Sequence, residues 1–291
     1  MGYIAKQHLS HGQFGYLVVD EVSGRCLGGF GANYYRPWLF PLYSPNGQTV
    51  IQEFPYDHPF HNGFWVAQGP ILFADREVHF WPSPPMRKAG EALFANMGRM
   101  DCSTPPQVES LDNGVRFTLH SIWRDQYETP VLDEVRTVNL YMLEDAVVCD
   151  MTSVKQANYG ALEYPQTKFG SIGIRVEPRL LPILGGQVIA DGGRRGNAEI
   201  ALDQPCDFVA YENDLPGSGR FGVLLTILDE PRPQRGPWFI RDYGLAYYNP
   251  TRTGCVSTPT GGSWQVSLRV VAYDGPLTDT RAQKWMARAR P

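Results

Sequence analysis

Apolar and polar residues alternate with period two along much of the chain. Val115, Phe117 and Leu119 interleave with Arg116, Thr118 and His120, and Trp264, Val266, Leu268, Val270 and Ala272 interleave with Gln265, Ser267 and Arg269. Successive side chains of a strand point to opposite faces, so these runs predict half-buried β-strands. Residues 16–19 and 26–30 form a predicted hairpin about Glu21-Val22-Ser23-Gly24, and residues 137–143 and 146–154 a second about Glu144-Asp145. Residues 171–176 and 222–228 read as more deeply buried strands. Helical periodicity is confined to the C-terminus. There Thr278 or Asp279 can cap a helix over residues 278–290, with Ala282, Trp285, Met286 and Ala289 on one stripe.

Without helices between strands the sheets cannot be mainly parallel, because parallel neighbours need long crossover connections. The expected fold is all-β: a single domain over residues 1–291, built as a large antiparallel β-sandwich with a short C-terminal helix packed on it. No internal repeat or linker is visible. The Pro-rich stretches 82–106 and 229–237 are expected to cross the surface as irregular loops, which at that length are often lids or binding loops.

Composition supports this picture. Thirty glycines and twenty-four prolines in 291 residues exceed the ordinary usage of about 7% and about 5%, as many tight turns require. A chain of this length buries roughly three quarters of its unfolded surface and needs no metal or disulfide to fold. The net charge of −4 with dispersed Lys and Arg gives no footprint for nucleic acid. The longest apolar runs, such as residues 223–228, fall far short of the ~20 residues that cross a bilayer, so no membrane partner is expected. The N-terminal MGYIAKQHLSHG lacks a basic region followed by an apolar stretch, and Lys6 breaks the myristoylation pattern after Gly2. The five cysteines are dispersed with no C-x-x-C pair, which suits reduced thiols in the cytoplasm and offers no zinc spacing. No nucleotide cofactor is expected.

The densest polar constellation is Asp57-His58-Pro59-Phe60-His61-Asn62-Gly63. A strand would send His58 and His61 to opposite faces, but the flanking prolines favour a loop in which both imidazoles converge. Two His and a carboxylate suit a divalent metal with open positions, so Asp57, His58 and His61 are candidate ligands. The same residues suit acid–base catalysis, since imidazole titrates near neutrality. Alternatively Asp57 closes an Asx-turn and Asn62-Gly63 makes a hairpin turn. Arg36, among aromatics, is either a clamp for a substrate hydroxyl or carboxylate or a cation stacked on Trp38. Glu163 and Lys168 stand at the mouth of a predicted strand. The segment from Trp238 to Pro250 gathers Arg241, Asp242, Tyr243 and Asn249 with several aromatics, the composition either of a sugar-binding cleft or of a sandwich core with its polar tips paired.

Read in order, RPWLFPLYSPNG, DHPFHNGFW, EYPQTKFGSIGIRV and WFIRDYGLAYYNP resemble the PmoA-like family of bacterial proteins. A membrane copper oxygenase, from which that name derives, is excluded by the lack of an apolar span. The family pattern reads D-H-x-H-H-R-G-[LF]-W. Asp57, His58, His61 and Gly63 match it, while Phe60 and Asn62 stand where a His and an Arg are common, and Phe40 where a His is frequent. Lys168, Arg241, Tyr243, Gly244, Asn249 and Pro250 also fit. The resemblance implies a sandwich like the galactose-mutarotase supersandwich and a setting beside sugar oxidoreductases. The expected function is therefore a carbohydrate-active enzyme working by acid–base or metal-assisted elimination, hydrolysis or epimerisation on a sugar, keto-sugar or glycoside. Asp57, His58, His61 and Lys168 would be catalytic, and Arg36, Glu163, Arg241, Tyr243 and Asn249 would bind substrate. The alternative is a non-catalytic carbohydrate-binding or accessory subunit. A cupin-like metal oxygenase ranks last, because its H-x-H…E spacing is absent. The terminal helix and long loops also offer surface for a homodimer.

Overall fold

The computed structural model describes residues 2–8, 12–83, 96–229, 235–289 and 291. An eight-stranded sheet runs in the spatial order Tyr3–Gln7, Phe14–Asp20, Cys26–Ala32, Pro37–Leu42, Phe64–Gln68, Gly170–Arg175, Leu245–Tyr248 and Trp238–Ile240. A ten-stranded sheet runs Arg194–Gly196, Gln187–Ala190, Val209–Leu215, Gly219–Ile227, Ser263–Asp274, Ala146–Gln156, Pro130–Met142, Gly114–Arg124 and Arg99–Asp101, with Gln107–Leu111 also pairing on Gly114–Arg124. A small third sheet joins Val256–Thr258, Leu162–Tyr164, Ile71–Phe73 and Arg76–Val78. The named strands all pair antiparallel. Both expected hairpins are present.

The two large sheets share one apolar core, to which the first contributes Leu39, Phe64, Val66, Ile172 and Ile174 and the second Phe117, Leu119, Val138, Leu140, Leu268 and Val270. Glu134 and Arg136 lie in this interior with no side-chain exposure. Arg136 donates to both Glu134 oxygens at 2.9 Å and to the carbonyl of Pro37 in the opposite sheet at 2.9 Å. Ser121, Trp123 and Ser153 also donate to Glu134. A charged pair can stay buried only when its remaining hydrogen-bonding capacity is met, and here the Pro37 carbonyl, Ser121, Trp123 and Ser153 meet it.

The helix spans Asp279–Ala287, shorter than the 278–290 read from the stripe, with the Thr278 side chain capping its N-terminus by accepting from the Arg281 N–H. Trp285 and Ala282 pack on the outer face of the ten-stranded sheet against Tyr141, Val148 and Tyr273. Arg269, paired with Asp150 at 2.6 and 2.7 Å, donates to the carbonyls of Trp285 and Arg288. These bonds satisfy helix-end carbonyls from outside the helix, and Arg288 turns to an extended conformation. Ala289 therefore lies beyond the helix, and Arg290 is outside the described residues. The stretch 82–106 is not wholly irregular, since Arg99–Asp101 pairs with Gly114–Arg124; residues 84–95 and 230–234 lie outside the described residues. Among the described residues no helix is long and apolar enough to cross a membrane.

Candidate functional site

The outer face of the eight-stranded sheet is apolar too, and strand alternation shows why. In Phe64–Gln68, Phe64 and Val66 enter the shared core while Trp65 and Ala67 face outward. In Leu245–Tyr248, Ala246 and Tyr248 point in and Leu245 and Tyr247 point out. In Gly170–Arg175, Ile172 and Ile174 point in, so Gly173 and Arg175 belong to the outer face. Register places Trp38, Trp65, Gly173, Tyr247 and Phe239 side by side across five strands. Gly173 is the gap in this aromatic row. A Cβ there would lie 2.1 Å from the Cβ of Tyr247, so the position admits no side chain. Trp81 packs between the two flanking rings, 5.9 Å from Trp65 and 5.2 Å from Tyr247.

Over this face lies the loop between Pro37–Leu42 and Phe64–Gln68. The Phe54 N–H donates to the His61 carbonyl at 3.0 Å, and the His61 N–H donates to the His58 carbonyl at 2.9 Å. Gly63, at φ 50°, closes the loop, and a Cβ there would stand 2.3 Å from the Leu39 carbonyl oxygen. The two imidazoles converge as a parallel stack, 4.8 Å apart at 3°. Tyr243 continues the stack beyond His58 at 5.1 Å and 11°, and Trp65 beyond His61 at 5.3 Å.

Arg175 organises the polar part of the site. It donates to both oxygens of Asp57, at 2.8 and 2.7 Å, and to His61 Nδ1 at 3.2 Å, and its guanidinium lies 4.7 Å over the Tyr243 ring. Because arginine only donates, His61 Nδ1 carries the lone pair and Nε2 the proton. Burial, then the nearby charge of Arg175, holds the His61 pKa well below the usual 6.5, so His61 is a neutral N–H donor at pH 7. Partial burial would raise the Asp57 pKa, but hydrogen bonds from Arg175 and His58 outweigh it and keep the carboxyl below its usual range. Asp57 Oδ2 is 2.9 Å from His58 Nδ1. An ionised carboxylate only accepts, so Nδ1 of His58 holds a proton and Nε2 is the nitrogen turned away from the carboxylate. Burial raises the Tyr243 pKa against the opposing pull of Arg175 and Arg241, so Tyr243 stays a phenol.

His58, His61, Tyr243, Lys168 and Arg241 line one cavity of 410 Å³, together with Phe60, Trp81, Phe169, Phe239, Leu245, Tyr247 and Arg252. The structure thus brings together five of the nine expected side chains, with Asp57 directly behind His58. The other three lie elsewhere. Arg36, only 2% exposed, donates to the carbonyls of Phe80, Trp81 and Pro82; it holds Trp81 in place and does not reach the cavity or stack on Trp38. The indole of Trp38 donates to Glu53 and its ring meets Phe54 edge-on. Glu163 alternates outward from Leu162–Tyr164 in the small sheet and is exposed. Asn249 is buried, donating to the Thr167 carbonyl and accepting from Thr251, which ties the Lys168 segment to the neighbouring turn.

The expected metal set does not fit this arrangement. Lone pairs of Asp57 and His61 that would have to converge on a cation are occupied by the Arg175 guanidinium, itself a positive charge, and parallel stacked rings do not aim at one point. Among the described residues no group of three or more His, Cys, Asp or Glu is placed to hold a metal. Arg175 is not among the residues that the sequence pattern singles out. Its signal was a charged residue inside the otherwise apolar Ser-Ile-Gly-Ile-Arg-Val run, a position that demands a buried partner.

Fold and site together define a β-sandwich protein with an aromatic-walled cleft served by an Asp–His pair. The chain belongs to DUF6807, a family of unknown function, which matches residues 30–287. This overturns the PmoA-like resemblance: the matched family is a different one, and the four motifs behind the resemblance supply the outer-face rows and the loop described above. No curated protein matches the sequence. Among solved structures, heparan sulfate lyase HepC (a mutant) from Pedobacter heparinus is similar at a TM-score of 0.40 and 10% identity, covering 94% of this chain. This chain spans 37% of that enzyme's length. A putative aldose 1-epimerase from Escherichia coli K12 has a TM-score of 0.39 and 10% identity over 94% of this chain and 100% of its own. A galactose mutarotase-like protein from Lactobacillus casei ATCC 334 has a TM-score of 0.38 and 8% identity over 94% and 100%. At such identities no residue role transfers from them.

Proposed function

We propose that the protein is a carbohydrate-active enzyme that performs acid–base chemistry on a sugar or glycoside held in the 410 Å³ cavity. The observation that carries this reading is the Asp57–His58 hydrogen bond, which leaves His58 Nε2 as a base on a wall formed with Trp81, Tyr247 and Phe239. Aromatic faces bind the C–H faces of a sugar ring, while the polar edges bind its hydroxyls. His58 Nε2 takes a proton from a substrate carbon or hydroxyl, or from an attacking water. Asp57 keeps the imidazole in the right tautomer and stabilises the imidazolium, while Arg175 holds Asp57 ionised. The phenol of Tyr243, stacked beside His58, is the proton donor, the N–H of His61 donates a hydrogen bond, and Lys168 or Arg241 stabilises an oxyanion or enolate. Epimerisation, elimination and hydrolysis all draw on this set.

The test is a proton-NMR time course on sugars selected for binding from a panel of mono- and disaccharides. The wild type is expected to convert at least one bound sugar, and His58→Ala to lose about 10²- to 10⁴-fold in rate with its fold retained. Binding without conversion would make the protein a sugar-binding subunit. Equal turnover by the variant would remove His58 from the chemistry.

A further inference from the structure

The charge of the cavity wall runs against the charge of the chain. The protein carries a net −4, yet among the described residues the cavity is lined by Lys168, Arg241 and Arg252 and by no Asp or Glu. Asp57, the carboxylate behind His58, takes two hydrogen bonds from the Arg175 guanidinium. Arg252 is paired with Asp203 outside the cavity lining. Lys168 and Arg241 differ. Both are exposed, and among the described residues neither forms an ion pair; the Lys168 ammonium lies 5.3 Å from the Phe169 ring, and the Arg241 guanidinium 5.7 Å from Phe239 and 5.9 Å from Tyr243. The cavity therefore holds two uncompensated cations on aromatic supports, and an apolar-walled cleft lined by one sign of charge concentrates ligands of the opposite sign.

We infer that the substrate of this site is an anionic sugar, one whose ring stacks on the aromatic wall while a carboxylate or sulfate substituent is gripped by Lys168 and Arg241. The inference rests on the carbohydrate reading above and narrows its substrate class. A guanidinium offers a planar fork that matches an oxyanion in two bonds, and an ammonium adds a point charge. A neutral sugar would leave both without a countercharge.

Isothermal titration calorimetry of the full chain tests this with D-glucuronate, D-glucose, glucose-6-sulfate and sodium sulfate, each at low and high sodium chloride. At least one acidic sugar is expected to bind about tenfold or more tightly than glucose at low salt, with the advantage shrinking at high salt. Preference for the glucuronate or for the sulfate ester would identify the anionic group, and either supports the inference. In the Lys168→Met/Arg241→Met double variant that advantage should vanish, acidic sugars then binding no more tightly than glucose; both side chains are exposed, and circular dichroism checks the fold. Glucose binding as tightly as the acidic sugars would overturn the inference and leave the carbohydrate reading standing. Sodium sulfate binding as tightly as either acidic sugar, or no binding by any of the four, would overturn both.

Discussion

His61 shows how much chemistry hangs on one contact. Its ring is 1% exposed, and the Arg175 N–H at its Nδ1 decides its tautomer. Because the folded imidazole stays neutral while an unfolded one takes up a proton near pH 6.5, the unfolded state binds more protons as pH falls below that value. Stability is then fully present above about pH 6.5 and declines on acidification, until the folded pKa is reached. The urea midpoint should fall more between about pH 7.5 and about pH 5.5 in the wild type than in His61→Gln, which keeps an acceptor for Arg175 but does not titrate. Equal slopes would mean that His61 is not held neutral. Asp57 makes the complementary point. Replacing it with Asn keeps the size but lets the imidazole take either tautomer, so turnover should fall by about 10²- to 10⁴-fold with little change in substrate affinity. A change confined to KM would remove Asp57 from the proton-transfer step.

The strands translate these residues into a site. Glu163 and Arg175 are both charged residues in strands, and the alternation that sends Glu163 to solvent sends Arg175 to the buried outer face, against Asp57 and His61. Which outcome follows depends on what covers the outer face of each strand, and the period of two does not specify it. Gly173 is the clearest case. In the sequence it is one glycine among thirty; in the sheet it lies directly between Trp65 and Tyr247. Gly173→Ala should therefore cost about 1–3 kcal/mol in urea unfolding and weaken sugar binding, because Tyr247 must shift. Wild-type stability and affinity in that variant would show that the row tolerates a methyl group. The terminal helix teaches the same lesson at its end: the apolar stripe continues to Ala289, but Arg269 draws off the carbonyls of Trp285 and Arg288 and the helix stops at Ala287.

Across the molecule, charge sits where pairing permits it. Glu134 is buried between the sheets, where burial would raise its pKa but Arg136 and the Ser153 hydroxyl hold it below the usual range. Lys155, also buried, has its pKa depressed to about 8 by desolvation. Glu134→Gln would leave Arg136 without its countercharge and Lys155 with Asp229 alone, and a loss of about 3–5 kcal/mol is expected from urea unfolding. A loss below about 1 kcal/mol would mean that the two cations find water or another partner.

The β-sandwich, both hairpins and the terminal helix were legible along the chain, because burying one face of a strand or helix imposes a period that survives in one dimension. The convergence of His58 and His61 was legible too, since prolines flank a short loop. The row from Trp38 to Phe239, the partnership of Arg175 with Asp57 and His61, and the exclusion of Arg36, Glu163 and Asn249 from the cleft were not. Each depends on which strands lie side by side, and residues 65, 173 and 247 become neighbours only through sheet register between distant segments. Local periodicity dictates which way a side chain points; only long-range strand pairing dictates what it meets.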